Sequence, residues 1–337
     1  MEIHNLSACY FPTRVLLVDD KPTYLKNLES ILDPDLATYE SYSDQHKVLS
    51  YLVKDYRPSH FIEQIVSHTE ELQLHHRNID VDINAIHQQI YNPDRFAEIS
   101  VLAIDYSMPG LTGSQICEKI KGSLIQKLML TGEADDKLAI DLLNRKTIDQ
   151  FISKANTSFT DVVNETIQKL QKDYFIKLTQ IIVDSLVYSK EHHLSCIQDS
   201  EYIELFNKFY NGNHCAEYYL LDGSGSFLFL SIKGKPSYFV VRSEEDMQTA
   251  EELVQLSDHS SPKALKSLKA REKLLFLPSE NNQVKDSSDW EKALYPATKL
   301  NTQSGTFYYS YIKEPTAFNL DQSKIVSFET YLEEHSQ

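Results

Sequence analysis

The sequence predicts an α/β domain on an open parallel sheet, followed by an α+β domain on an antiparallel sheet. Three observations carry this. In the first half, short unbroken apolar runs each stop at a residue able to do chemistry: Val15-Leu16-Leu17-Val18 at Asp19 and Asp20, Val101-Leu102-Ala103-Ile104 at Asp105, Leu128-Met129-Leu130 at Thr131, and Phe151-Ile152-Ser153 at Lys154. Such runs read as strands buried on both faces, as parallel strands are. In the second half, apolar stretches are punctuated by turns, as at Asp222-Gly223-Ser224-Gly225 and Lys233-Gly234-Lys235, which reads as an antiparallel meander. A length of 337 residues suits two domains.

In order, residues 15–18 and 37–42 are the first two strands, and residues 46–54 open the second helix. The third strand resumes only near residue 101, leaving residues 57–99 as an insertion. A structureless loop of that size is unusual in a compact domain. Ile62, Ile65, Val66 and Leu72 fall near helical spacing, and Ile79, Ile83, Ile86 and Ile90 recur at steps of four, three and four. The expectation is an antiparallel helical pair packed on the parallel-sheet domain. Its His75, His76 and His87 read as ordinary helix residues, because no cysteine is near and adjacent residues face different sides of a helix.

After the strand residues 128–130 and 151–153, Ser158-Phe159-Thr160-Asp161 is a capping signal. Val163, Ile167, Leu170, Tyr174, Leu178, Ile181 and Ser185 then follow at mostly three- and four-residue steps, and no Gly or Pro interrupts residues 157–193. This long helix packs either on its own second domain or against another chain. Beyond it, a helix at 202–210 leads to strands at 217–221, 226–232 and 237–242, helices at 243–256 and 262–273, and a strand at 306–312. Tyr218, Tyr219, Tyr238, Tyr308, Tyr309 and Tyr311 fall on these strands, where half-buried rings with hydroxyls reaching water are expected.

The strand ends explain what the first domain does. In an open parallel sheet the carboxyl ends of the strands share one edge, and ligands bind there. Asp19, Asp20, Asp105, Thr131 and Lys154 should therefore meet. Clustered carboxylates repel one another unless a cation sits among them. Mg2+ suits the position, since it takes oxygen ligands from a few carboxylates and keeps several waters. A carboxylate beside such a cation can act as nucleophile toward a phosphoryl group and form an aspartyl-phosphate, with Lys154 and Thr131 holding the new phosphate oxygens.

These motifs resemble those of the receiver domain of bacterial two-component response regulators. The acidic pair lies in Val18-Asp19-Asp20, the phosphoacceptor segment in Ile104-Asp105-Tyr106-Ser107-Met108-Pro109-Gly110, the switch hydroxyl in Leu130-Thr131-Gly132, and the switch aromatic and lysine in Phe151-Ile152-Ser153-Lys154. The resemblance implies a flavodoxin-like, doubly wound sheet. It also implies Asp105 as phosphoacceptor, Mg2+ on Asp19, Asp20, Asp105 and the Ser107 backbone carbonyl, Thr131 and Lys154 on the phosphoryl group, and Phe151 reorienting with Thr131. One departure is Ala155, where receivers usually carry a proline after the lysine. The insertion as a whole resembles that of the Legionella-type quorum-sensing response regulators.

Composition narrows the output. The formal charge is −16, and it divides almost evenly: residues 1–174 hold 17 Lys and Arg against 26 Asp and Glu, and residues 175–337 hold 16 against 23. Nucleic-acid binders carry a basic domain or stripe, so a DNA-binding output is disfavoured. The one basic stretch, Lys263, Lys266, Lys269, Arg271 and Lys273, reads as a solvated helix face. Cys9, Cys117, Cys196 and Cys215 are dispersed without metal-binding spacing and read as reduced thiols. No basic start with an apolar core opens the sequence, and no run approaches membrane-spanning length, so a cytoplasmic protein is expected. The turn at Asp222 lies between strands and lacks the helix that a phosphate-binding loop feeds. His192, His193, His214 and Cys215 complete no metal-ligand set, and no cyclase, phosphodiesterase or hydrolase signature is present.

The sequence reading is thus a receiver over residues 1–160 with a helical insertion at about 57–99, a linker helix over 161–193, and an α+β output domain over 194–337. A sensor histidine kinase or phosphotransfer protein supplies the phosphoryl group, the output half contacts a target protein, and the chain forms a homodimer. The alternative is an enzyme or nucleotide-binding output that the receiver switches.

Overall fold

A computed structural model describes residues 5–57, 61–70, 77–132, 136–187, 194–277, 286–313 and 320–335. Five strands form a parallel sheet in the spatial order Ala37–Tyr42, Thr13–Val18, Ile99–Asp105, Gln126–Thr131, Gln150–Ser153. In chain order this is second, first, third, fourth, fifth, the doubly wound flavodoxin-like arrangement. Alternation along the strands divides the side chains between two cores. Leu16, Val18, Leu102, Ile104 and Met129 meet Val48 and Ile116 on one face. Val15, Leu17, Val101, Ala103, Leu128 and Leu130 meet Leu25, Leu28, Val163, Ile167 and Leu170 on the other.

The second sheet is antiparallel. Its order is Cys9–Tyr10, Cys215–Leu220, Phe227–Ser231, Pro236–Ser243, Gly305–Ile312, Thr298–Thr302. The helix Ser200–Gly212 lays Phe206 across it, with the ring edge-on to Tyr218 and Phe227 at 5.1 Å and to Phe229 at 5.0 Å. Edge-to-face aromatic packing of this kind adds about 0.5–1.5 kcal/mol per pair beyond area burial. The tyrosines depart from expectation here. Tyr218, Tyr219 and Tyr238 are fully buried, and the Tyr218 and Tyr219 hydroxyls meet Ser7 and Glu217 inside the protein rather than water.

The boundary at residue 160 is crossed in both directions. Cys9 and Tyr10 pair with Tyr219 and Tyr218, so the segment before the first parallel strand belongs to the second sheet. The long helix Phe159–Val187 gives Val163, Ile167 and Leu170 to the parallel-sheet core, and Tyr174, Phe175, Ile182 and Leu186 to the other. Most of its apolar series packs within the chain, as the first of the two readings of that helix has it, while Ile181 stays 38% exposed. Residues 188–193, with His192 and His193, lie outside the described residues.

The insertion is not a helical pair. The short helices Phe61–Ile65 and Ile83–His87 flank a hairpin of Val66–Glu70 and Arg77–Val81, and Pro93–Ala97 forms a 3-10 turn. The isoleucine period misleads because it runs through several elements. Ile79 lies on a strand, Ile83 and Ile86 on a helix and Ile90 on a 3-10 turn. Between them Asp82 accepts hydrogen bonds from the backbone N–H groups of Asn84 and Ala85 and starts a new helix. Leu72, His75 and His76 lie outside the described residues. The insertion also packs toward the second domain: Ile65, Ile86, Ile90 and Phe96 belong to that core.

Lys172 on the long helix is buried where the two halves join, with its ammonium 6.0 Å from the Tyr10 ring centroid. Burial lowers its pKa from an ordinary 10.5 to about 8. The unfolded chain therefore holds more protons than the folded one between those values, and stability should rise as pH increases through that window. Lys172→Met should raise stability at pH 7 by up to about 3 kcal/mol and flatten the rise. Chemical denaturation at pH 7 and pH 10 measures both, and an unchanged slope would assign the rise to other groups.

Candidate functional site

Parallel register brings the strand ends to one edge. Val18 pairs with Ile104, Asp105 with Leu130, and Thr131 with Ser153. Asp19 and Lys154 each continue from a strand end, where the Asp19 N–H donates to the Tyr42 carbonyl and the Lys154 N–H to the Thr131 carbonyl at 2.8 Å. No peptide bond in the described residues is cis, so the chain passes Ala155 in the trans form.

The Lys154 ammonium lies 2.6 Å from Asp19 Oδ2 and 2.5 Å from Asp105 Oδ1 and bridges them. Asp19 is 1% exposed and Asp105 7%. Burial alone would lower the pKa of Lys154, but hydrogen bonds from Asp105 and Asp19 and their charges outweigh it and raise the pKa above the ordinary value. Asp19 is fixed by a further bond, accepted at Oδ1 from the Lys21 N–H at 2.9 Å. Asp20 differs: its Oδ1 is buried and has no hydrogen-bond partner. Leaving such an atom unpaired costs about 1–3 kcal/mol or more, and a divalent cation would satisfy it. The chemistry of this orphaned carboxylate oxygen, next in the chain to Asp19, therefore fits a hard cation such as Mg2+.

The segment after Asp105 is shaped by two glycines. Gly110 has φ +84°, a conformation open to glycine at no steric cost. A Cβ on Gly113 would lie 2.2 Å from the Asp105 carbonyl oxygen, so only glycine lets the next helix begin this close to Asp105. The helix Gly113–Lys119 is closed by a capping box between Thr112 and Gln115.

Thr131 is fully buried at the same edge, and its hydroxyl donates to the Ile152 carbonyl at a long 3.5 Å. Phe151 is half-buried against the core that holds Met129 and Ile148. Ser107 sits in the exposed loop after Asp105. Lys154 thus contacts both Asp19 and Asp105, while Asp20, Thr131 and Ser107 lie at or just past the same strand ends, and Phe151 lies within the last strand. Sequence reasoning passed over Tyr24. The Lys154 ammonium sits 4.1 Å from its ring centroid. The signal was available: Tyr24 lies four residues past Asp20, in the first turn of the helix Pro22–Ile31.

Elsewhere, the Asp222 carboxylate is consumed by its own turn. Oδ1 accepts from the Ser224 and Ser226 N–H groups at 3.1 and 3.0 Å, and Oδ2 from Arg242 at 2.8 Å. The basic stretch is largely answered by acids: Arg271 bonds Glu244 and Glu251, and Lys263 bonds Glu291 at 2.6 Å. The four cysteines are free thiols. Among the described residues no helix is long and apolar enough to cross a membrane, and no group of three or more His, Cys, Asp or Glu forms a ready metal cage.

A five-stranded parallel sheet in this order, with an acid–lysine cluster on its carboxyl edge, defines a receiver domain. No family model matches the sequence, and no curated protein does. Among solved structures, the response regulator LqsR of Legionella pneumophila is 30% identical, with 98% of this chain and 97% of that one covered at a TM-score of 0.79. The chain belongs to the response regulators, in the family that LqsR represents. Slighter likenesses are an adenylate cyclase from Rhodopirellula baltica (20% identity, 53% of this chain and 99% of that, TM-score 0.35) and a response regulator receiver domain from Clostridium thermocellum (18%, 50% and 98%, 0.31). Neither bears on fold or activity.

Proposed function

We propose that this chain is a phosphorylation-driven switch in which Asp105 accepts a phosphoryl group and the second domain passes the signal to a protein partner. The observation that carries the reading is the cluster of Asp19, Lys154 and Asp105 at the sheet edge, with the orphaned Asp20 oxygen beside it. An Asp105 carboxylate oxygen attacks phosphorus, the bond from phosphorus to the donor breaks, and the donor leaves with that electron pair. Mg2+ on Asp19, Asp20, Asp105 and the Ser107 carbonyl would supply compensation for charge on the transferring oxygens. Lys154, already on Asp105, donates to the new phosphoryl group. The weakly bonded Thr131 hydroxyl turns toward it, and Phe151 follows into the space that Thr131 leaves.

The donor is a sensor histidine kinase, a phosphotransfer protein or a small acyl phosphate in the cytoplasm. A protein target is supported over DNA by the acidic charge of both halves and by the ion pairs that occupy Arg271 and Lys263. The homodimer reading keeps Ile181 on the long helix, 38% exposed, and adds the helix Asp136–Asn144, where Leu138 and Ile140 are 40% and 49% exposed.

Incubation with labelled acetyl phosphate tests the reading. Label should appear only with Mg2+ and should be lost to hydroxylamine, as an acyl phosphate is. The Asp19→Asn/Asp20→Asn double variant should lose Mg2+-dependent labelling while melting as a folded protein. Normal labelling with unchanged Mg2+ dependence would count against the metal assignment.

A further inference from the structure

Tyr24 combines a used face with an unused end. Its ring seats the Lys154 ammonium at 4.1 Å, a cation–π contact with the same ammonium that bonds Asp19 and Asp105. Its hydroxyl is buried and has no hydrogen-bond partner. Phenylalanine would supply the same ring without that cost, so the folded chain as it stands gives the hydroxyl no work. The hydroxyl lies in the field of the acidic centre. Burial foremost raises the Tyr24 pKa, with Lys154 lowering it and Asp19 and Asp105 raising it further. A protonated phenol is a donor, and the phosphoryl group would bring more acceptor oxygens than Lys154 and the Thr131 hydroxyl alone can satisfy.

We propose that the Tyr24 hydroxyl is a phosphoryl-binding donor, idle until Asp105 is modified and then bonded to a phosphoryl oxygen. The ring and the hydroxyl thus serve different states: the ring places Lys154 in the unmodified protein, and the hydroxyl recognises the modified one. The inference rests on the reading of Asp105 as acceptor.

Beryllofluoride, a non-covalent mimic of a phosphoryl group on a carboxylate, is the probe, titrated by fluorine NMR at fixed Mg2+ into the full chain. A hydrogen bond to a charged group is worth about 1.5–3 kcal/mol, or roughly 10- to 100-fold. Tyr24→Phe should therefore bind the probe at least about 10-fold more weakly than the unaltered protein. Thermal melts give a readout that a merely structural role would not move. Without probe, Tyr24→Phe should melt at or above the unaltered protein, since it removes only an unpartnered atom. With saturating probe it should gain less. Tyr24→Leu, which also removes the seat of Lys154, should weaken binding further.

Equal probe affinity in Tyr24→Phe and the unaltered protein, with the latter labelled at Asp105, overturns the inference alone. An unaltered protein that neither binds the probe nor takes label overturns the acceptor reading and this inference with it. A Tyr24→Phe variant that melts below the unaltered protein without probe shows that the hydroxyl already has a structural partner, and likewise overturns it.

Discussion

Asp105→Asn is expected to carry no label from acetyl phosphate or a kinase, and to melt at or above the temperature of the unaltered protein. The first expectation follows from chemistry, because a carboxamide is not a nucleophile toward phosphorus. The second follows from charge. Asp19, Asp20 and Asp105 crowd one edge, and among their contacts one ammonium, that of Lys154, serves two of them. Removing one carboxylate relieves repulsion, and Asn retains the size and an oxygen that accepts from Lys154. Lys154 also keeps its 2.6 Å bond to Asp19. Labelling and a melt on the same preparation separate loss of the acceptor from loss of the fold. Stoichiometric labelling of Asp105→Asn would remove the assignment.

Glu217→Ala is expected to cost about 3–5 kcal/mol of stability, because it strands a buried guanidinium. The Arg95 and Glu217 side chains are 1% and 0% exposed. Arg95 Nε and Nη2 donate to the two Glu217 oxygens at 3.0 and 3.2 Å, Nη2 to the Val326 carbonyl at 2.6 Å, and Nη1 to the Asn92 and Ile90 carbonyls at 2.8 and 3.3 Å. A guanidinium has five N–H donors, and each here has an acceptor. The pair ties the insertion to a central strand of the second sheet and to the segment before the C-terminal helix Phe328–His335. Replacing both partners, as Arg95→Met with Glu217→Leu, should recover part of the loss, since a packed apolar pair often matches a buried ion pair but here leaves the buried Tyr219 hydroxyl without its acceptor. Denaturant midpoints for the single and double variants decide this. A cost under about 1 kcal/mol for Glu217→Ala would mean that the charge is relieved by relaxation or water.

What was legible in the sequence follows from how each element is stabilised. Strands buried on both faces must be apolar throughout, so Leu16–Val18 and Leu102–Ile104 announce themselves, and the reactive residues mark where they end. The second strand is read as residues 37–42 and folds as Ala37–Tyr42. The strand Thr298–Thr302 was missed because it lies at the sheet edge and is mostly polar, as edge strands are. Cys9–Tyr10 was missed because it is two residues long and pairs with Tyr218 and Tyr219, a partner that no local pattern can reveal. The insertion failed for a different reason: a helical period in the isoleucines outweighed Asp82, whose capping role was the better guide. At the site, motif residues were found because they are polar at strand ends. Tyr24 was not, because an aromatic residue in a helix reads as packing until its hydroxyl is found without a partner.

The pairing of Cys9–Tyr10 with Cys215–Leu220 also sets an order of events during synthesis. The ribosome makes Cys9–Tyr10 before the whole parallel-sheet domain and Cys215–Leu220 after it. The edge strand of the second sheet must then wait, unpaired, while the intervening domain folds. Topologically the receiver domain is a guest spliced into the second domain, tethered to that sheet on both sides. An excised fragment ending near residue 160 would carry Tyr10 and Phe11, buried in the intact chain, onto its surface. A fragment that begins after Phe11 instead leaves those two aromatic rings out.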